Sequence, residues 1–561
     1  MPESDWQVQG DLSDLNRKLN GSFSRMPQHM KTRYKLINYL LLLALIWHGG
    51  CSERKEITIQ DPIITTPQGI QYGGHLRVGL ASEPTSLDAI LGRGGQDAYY
   101  WHQIYDQIVD LNNDLTTRKE TSLAKSWKIS TDPHAITFTL REGVLFHDGS
   151  KVDAQAVKFN IDRILNPETM ATPRASLSVI DSVDVIDEYT VRFNLKRAWG
   201  AGLNMLGERG GVLNSPNAVK RLGDNYGWQP SGTGPFMVNK VILGTMIHLV
   251  RNPNYWAKDE FGNQLPYLDE ITLRVIREPT VMTSALRTGE IDLAYLPAKD
   301  VASFKRDSRF NIELMEGGAV AMTLVFNLDK KPLDNVNLRL AIAHAIDSSK
   351  INKAIYFDRN RVADSGMWMQ GTWAYQPEPA YPSFDLNKAK DYLRKGLKPD
   401  GFEFTMLTNN SPYNIQTAAV IREMLKKIQV NMEIEVLHST PATEMFFHNE
   451  MYPMYLTTWS RYAEPDWLGS LAYKSDGYYN AANLDRPDID ALVERGAALY
   501  ETEQRRKTYL ELNRIILSEA WFVPLLYGVN HLAGPTKVKN IDRVMGWDGK
   551  MNFRYVWLNR Q

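Results

Sequence analysis

Residues 123–165 constrain the fold more than any other stretch of this chain. They read LAKSWKISTDPHAITFTLREGVLFHDGSKVDAQAVKFNIDRIL. Trp127 and Ile129 are apolar at period two, and Thr131-Asp132-Pro133-His134 supplies a turn. Ile136, Phe138 and Leu140 then resume the alternation against Thr137, Thr139 and Arg141. This pattern predicts a β-hairpin with one buried face. Asp148-Gly149 marks a second turn. Asp153 stands where a helix N-cap belongs, ahead of a Val157, Ile161, Ile164 and Leu165 stripe, and Asn166-Pro167 stops the helix. Hairpin, turn, helix is what the pattern establishes.

The remainder alternates strand and helix. Leu76, Val78 and Leu80 alternate as a strand, and 99–111 reads as a helix. Residues 183–187 and 190–195 are further strands, the second packing on the hairpin, and 208–216 resembles a strand entering a loop. A strand at 271–276, a helix at 281–288 and a strand start at 289–293 imply a partly parallel sheet with a right-handed crossover. The pattern changes at Met322. Beyond it come helices at 338–346, 387–395 and 414–428, strands at 402–407, 431–437 and 452–459, a helical stretch at 488–517 and a strand at 522–527. Neither a fixed-period repeat nor a low-complexity tract interrupts the series.

At 561 residues the chain exceeds a single core, and roughly two to four domains are expected. Lys plus Arg (64) balances Asp plus Glu (65), which argues against nucleic acid as a partner. With Cys51 as the sole cysteine, an internal disulfide, a cysteine-based zinc site and an iron–sulfur cluster are all excluded. The chain carries no G-x-S-x-G elbow, no H-E-x-x-H and no dinucleotide fingerprint, and the glycines at 231–236 lack the G-K-[ST] of a P-loop. None of the eleven histidines pair at helical ligand spacing, and His344 reads as a packing residue. Catalysis is therefore the weaker hypothesis, and neither a cofactor nor a metal is expected.

Several motifs carry a resemblance. A-K-S-W at 124–127, T-F-T-L-R-E-G-V-L-F-H-D-G at 137–149 and V-D-A-Q-A-V at 152–157 resemble bacterial extracellular solute-binding proteins of family 5, the peptide-, nickel- and opine-type receptors of ABC importers. The same order continues with G-G-H-L-R-V (73–78), E-P-T-S-L-D (83–88), G-T-G-P-F (232–236), R-N-P-N-Y-W (251–256) and L-R-L-A-I-A-H-A-I-D (338–347). The resemblance implies a two-lobed α/β periplasmic-binding-protein fold of class II, with mixed sheets and an extra small domain. Lobe I would comprise 72–112, 231–320 and 531–561, the inserted domain 113–230, and lobe II 321–530, with chain crossings near Val320 and Asn530. A monomer would capture a peptide or small anionic or zwitterionic solute in the cleft between the lobes and deliver it to a membrane permease with its own ATPase. A periplasmic hydrolase, a chaperone-like protein or a signalling receptor on the same scaffold are the alternatives.

The N-terminal region fits secretion. Met30 to Lys35 is basic, 36–47 is apolar but too short to span a bilayer, and Cys51 follows His48-Gly49-Gly50. This resembles a lipoprotein signal at 30–50, with Cys51 as the acylated residue, although His48 stands where the pattern usually has Leu. Residues 1–29 read as an upstream extension and 51–71 as a tether to the membrane.

Binding chemistry concentrates at T-T-W-S-R-Y-A-E-P-D, 457–466. It follows an apolar strand, and open α/β sheets place ligands at the carboxyl ends of strands. In the peptide receptors it resembles, this loop has the form W-x-x-D-Y-x-E-P, and the aspartate holds the peptide's α-amino group. Counted back from Glu464-Pro465, that position holds Arg461. A guanidinium suits a carboxylate or phosphate instead; alternatively Arg461 pairs with Glu464 or Asp466 and holds the loop. Trp459, Tyr462, Glu464, Asp466, Arg209 beside Gly210-Gly211, Trp368, Trp373 and Ser86 complete the candidate ligand-binding set.

Overall fold

The computed structural model describes residues 64–560, apart from 463 and 482–483. The signal segment, Cys51 and most of the tether lie outside the described residues. Residues 64–71, expected as the end of that tether, instead form a turn packed on the fold. Thr65 bridges Gln71, the Thr66 carbonyl accepts from Gly69 at 2.9 Å, and buried Gln71 accepts the Arg560 backbone N–H at 2.9 Å.

The 123–165 block folds as its pattern dictates. Strands Ala124–Thr131 and His134–Leu140 pair antiparallel, and Thr190–Leu195 followed by Ile180–Asp187 extends them into a four-stranded sheet. Ile136, Phe138, Leu140 and Phe193 turn to one face and are wholly buried, with Phe138 and Phe193 edge to face at 5.2 Å. Each such ring contributes roughly 1.5–3 kcal/mol of burial. Asp153 caps helix Ala154–Leu165 by accepting the Ala156 N–H at 2.8 Å, worth about 1 kcal/mol. The Val157, Ile161 and Ile164 stripe closes over the sheet.

A second sheet orders strands His75–Leu80, Glu270–Val275, Met246–Arg251 and Phe236–Ile242, the first pair parallel and the rest antiparallel. Its core joins Leu76, Leu249 and Ile271 to Val538, Phe553 and Val556 from the C-terminal segment. A third, seven-stranded sheet is mixed. Strand Glu403–Asn409 runs parallel to both Asn431–Leu437 and Met454–Ser460, whereas Phe310–Phe326 is antiparallel to Met454–Ser460 and to Phe522–Pro535. Helices Val336–Ala345 and Pro412–Leu425 bury Ala341, Ile342, Ala418 and Ile421 against it.

The two long strands join the halves of this bilobed molecule. Phe310–Phe326 pairs along most of Phe522–Pro535, but the ladder breaks register between Glu316 and Val320 and again before Thr323. Irregular pairing of this kind lets a ribbon bend.

Three expected elements differ. The helix expected over 99–111 is Ala98–Ile104. Beyond it the backbone is extended, because buried Asp106 takes hydrogen bonds from Thr233, Tyr255 and Trp256. Residues 209–211 form one 3-10 turn where a strand was expected. The helical stretch 488–517 is two helices, Pro487–Ala498 and Thr502–Ser518. His344 packs as expected, stacked on Tyr392 at 5.4 Å with Nδ1 at 2.6 Å from the Ser383 carbonyl.

Candidate ligand-binding site

Strand Met454–Ser460 ends where its chain leaves the third sheet, and period two decides what faces where. Trp459 turns inward and meets Phe447, Tyr479 and Phe522 edge to face at 5.3–6.1 Å. It is a core residue of lobe II, so its expected place on the cavity wall is corrected. Thr458 and Ser460 alternate with it and are exposed.

Arg461 follows and is buried, 8 % exposed. Its Nη2 donates to the backbone carbonyl of Asn113, in the 112–115 turn that leads to the hairpin sheet. The guanidinium therefore reaches from the end of strand Met454–Ser460 to the turn ahead of the hairpin sheet. Burial lowers its pKa to about 10, and the Asp548 and Asp114 carboxylates partly offset the shift. At neutral pH it keeps its charge. The carboxylates that act on it are Asp548 and Asp114, while Glu464 of its own loop is paired with Arg505.

Glu464 is instead committed to Arg505 in an ion pair whose side chains are 0 % and 6 % exposed. The same Oε1 accepts the Asp466 N–H at 3.4 Å and caps the short helix Pro465–Leu468. Burial pushes the Glu464 carboxyl up to about 7, with Arg505 pulling the other way. Arg505 itself lies over Trp373 at 5.0 Å and Tyr509 at 5.7 Å. Glu464 thus anchors the loop. Arg505, distant in sequence and with no motif around it, escaped the sequence reading.

Two cavities flank this loop. Leu115, Met367, Trp368, Thr372, Arg461 and Tyr462 line a small void of about 30 Å³. The Trp368 indole Nε1 is buried there without a hydrogen-bond partner. On the other side a cavity of about 360 Å³ opens between the hairpin-sheet unit (Arg197, Trp199, Met205) and lobe II (Asp466, Trp467, Lys474). Tyr462 and Trp467 stack at 5.0 Å with planes 9° apart, one ring lining each cavity. Asp466, accepting from Ser470 Oγ at 3.1 Å, supplies a carboxylate to the larger one.

The remaining candidates lie farther out. Arg209 donates to the carbonyls of Gly92 and Gly94, the latter at 3.3 Å. It braces a turn whose Gly95 abuts the Ser460 hydroxyl, where a Cβ would come within 3.2 Å. Arg209 borders neither cavity and is one step removed from Arg461. Ser86 accepts the Asp88 N–H at 3.1 Å and faces Gly227, away from both cavities. Trp373 donates its backbone N–H to the Asp114 carbonyl at 3.3 Å and presents its ring to Arg505.

Residues 120–480 match the model of bacterial extracellular solute-binding proteins, family 5 Middle. The chain belongs to this family. Among curated relatives, the glutathione-binding protein GsiB of Salmonella paratyphi A is 26% identical over 467 residues, covering 80% of this chain and 88% of the relative. Its Escherichia coli O157:H7 counterpart is 25% identical over the same length, 80% of this chain and 88% of the relative. Among solved structures, the periplasmic binding protein DppA of Helicobacter pylori, in complex with the peptide STSA, superposes with a TM-score of 0.74 at 26% identity, covering 87% of this chain and 99% of that one. The dipeptide-binding protein of Pseudoalteromonas sp. SM9913, at 22% identity and a TM-score of 0.74 over 87% and 100% of the chains, shares the fold.

As a family 5 solute-binding protein, the chain needs a pocket with recognition groups rather than a reacting pair. The void beside Arg461 combines a buried cation, a buried indole N–H and apolar walls. Such a mixture fixes the orientation of a small polar ligand.

Proposed function

We propose that this protein captures a compact anionic or zwitterionic solute between its lobes, with the Arg461 guanidinium taking the solute's acidic group. The chain is the solute-binding component of an ABC importer, located in the periplasm. The observation that carries the ligand reading is a charged arginine, 8 % exposed, lining a void between the two halves and bonded across them to Asn113.

The 30 Å³ void is too small for any such solute. A ligand must enter while the lobes are apart and replace part of the Arg461–Asn113 contact as they close. The adjoining 360 Å³ cavity can take the body of a small modified peptide or opine-like molecule. Its Asp466, Lys474 and Arg197 supply charges of both signs for a zwitterion. The curated relatives named as glutathione-binding support this class, because glutathione is a modified tripeptide with two carboxylates.

Closure bends the two long strands near Glu316–Val320, and binding energy drives it because only the closed form surrounds the solute. We assign lobe I to 72–112, 231–320 and 531–561, the inserted domain to 113–230 and lobe II to 321–530. The chain acts as a monomer, anchored by lipid on Cys51, and hands its cargo to the permease. A thermal-shift and calorimetric panel of peptides, opines, glutathione and sugar acids tests the reading. Tight binding confined to ligands with a free acid supports it; selection of solutes without one refutes it.

A further inference from the structure

The outward face of the first-lobe sheet carries a second cluster, one that does not depend on the cargo. His75 and Glu270 are direct partners on parallel strands, and His248 lies opposite Thr272, two residues along from Glu270. Period two puts all four side chains on one face, while Leu76, Leu249 and Ile271 point the other way into the core.

We propose that His75, His248 and Glu270 form a binding site for a divalent transition-metal cation of the zinc class. Glu270 Oε2 lies 3.3 Å from His248 Nε2 and 3.7 Å from His75 Nδ1, and one ligand atom from each residue falls within 4.8 Å of the others. A cation bound tetrahedrally at 2.0–2.2 Å separates neighbouring ligand atoms by about 3.3–3.6 Å. The cluster therefore has nearly the spacing that a cation imposes. Among the described residues it is the one group of three such side chains so placed.

His75 Nδ1 and His248 Nε2 are the ring nitrogens turned towards Glu270, and the opposite nitrogens have contacts of their own. His75 Nε2 is 2.8 Å from Thr272 Oγ1, and His248 Nδ1 is 3.0 Å from Asn239 Nδ2. With those ring nitrogens protonated, and the Asn239 amide turned so that its oxygen accepts, the lone pairs of His75 Nδ1 and His248 Nε2 face Glu270. Arg77, on the same face, is bound to Asp292 at 2.8 and 3.0 Å, a carboxylate that also pairs with Lys537 at 2.8 Å. The three ligands come from neighbouring strands and are preorganised. His75 and Glu270 are 42% and 44% exposed, which leaves a fourth position for water.

The full chain, stripped with a chelator and dialysed, should be titrated with ZnCl2 by calorimetry and with CoCl2 by visible absorption. The proposal expects a binding event that raises the melting temperature, and the intense d–d bands of tetrahedral Co2+. His248→Ala and Glu270→Gln should each weaken it at least tenfold, whereas His438→Ala, on an exposed lobe II histidine, should leave it unchanged. These ligands are partly exposed, so the variants should fold; unchanged circular dichroism checks this. Failure of the wild type to bind Zn2+, or an unchanged titration in a His75→Ala/His248→Ala double variant, overturns the site.

Discussion

Replacing Arg461 with alanine should weaken binding of an acidic ligand by about ten- to a hundredfold. The guanidinium is 8 % exposed, so little water screens it, and one nitrogen already donates to the Asn113 carbonyl. An acid that displaces part of that contact exchanges a neutral acceptor for a charged one at the same planar fork. A hydrogen bond to a charged group contributes about 1.5–3 kcal/mol, and each 1.4 kcal/mol is a factor of ten. The complication is that Arg461 also ties the lobes together, so its loss disfavours closure for every ligand. Calorimetry with a matched pair, the tightest acid ligand and its primary amide, separates the two effects. Acid capture predicts that Arg461→Ala erases the preference for the acid, and that Arg461→Lys, with charge but no planar fork, falls between. Equal losses for acid and amide would reduce the residue to a lobe clasp. Unchanged affinity for both would remove it from the site.

Other perturbations test the supporting structure. Arg505→Met leaves the Glu464 carboxyl buried without its cation and should cost roughly 3–5 kcal/mol in urea denaturation; a loss below about 1 kcal/mol would mean that the pair does not anchor the loop. Burial lowers the pKa of His147 and His531 to about 4, against about 6.5 unfolded. The folded chain then binds fewer protons between these values, so stability is kept above pH 6.5 and falls towards pH 4, by at most about 3 kcal/mol per ring. His147→Gln and His531→Gln should flatten that limb, and a wild-type curve already flat there would contradict the assignment. Cys51→Ser should move the chain from membrane to soluble fractions after osmotic shock; membrane retention would rule out the lipid anchor.

What the sequence made legible follows from where the information is local. Ile136, Phe138 and Leu140 at period two, a capping Asp153 and a Val157–Ile161–Ile164 stripe each name their own element, and all three form. The helix past Ile104 failed because the bonds that hold Asp106 come from Thr233, Tyr255 and Trp256, far along the chain. At the candidate site, motif position pointed to Arg461 and the Glu464-Pro465 loop. Strand alternation alone could have told that Trp459, out of phase with Ser460, faces the core. Asn113 and Arg505 meet the loop only through the fold, and no spacing rule points to them. The His75, His248 and Glu270 cluster is likewise a product of strand register, invisible to a search for helical ligand spacing.

The most direct measurement is a crystal structure of the protein with the tightest acidic ligand from the panel. The account predicts an acid oxygen about 3 Å from the Arg461 guanidinium, with the ligand body reaching past Tyr462 and Trp467. A ligand whose acid is held elsewhere, with the Arg461–Asn113 bond unchanged, would contradict it.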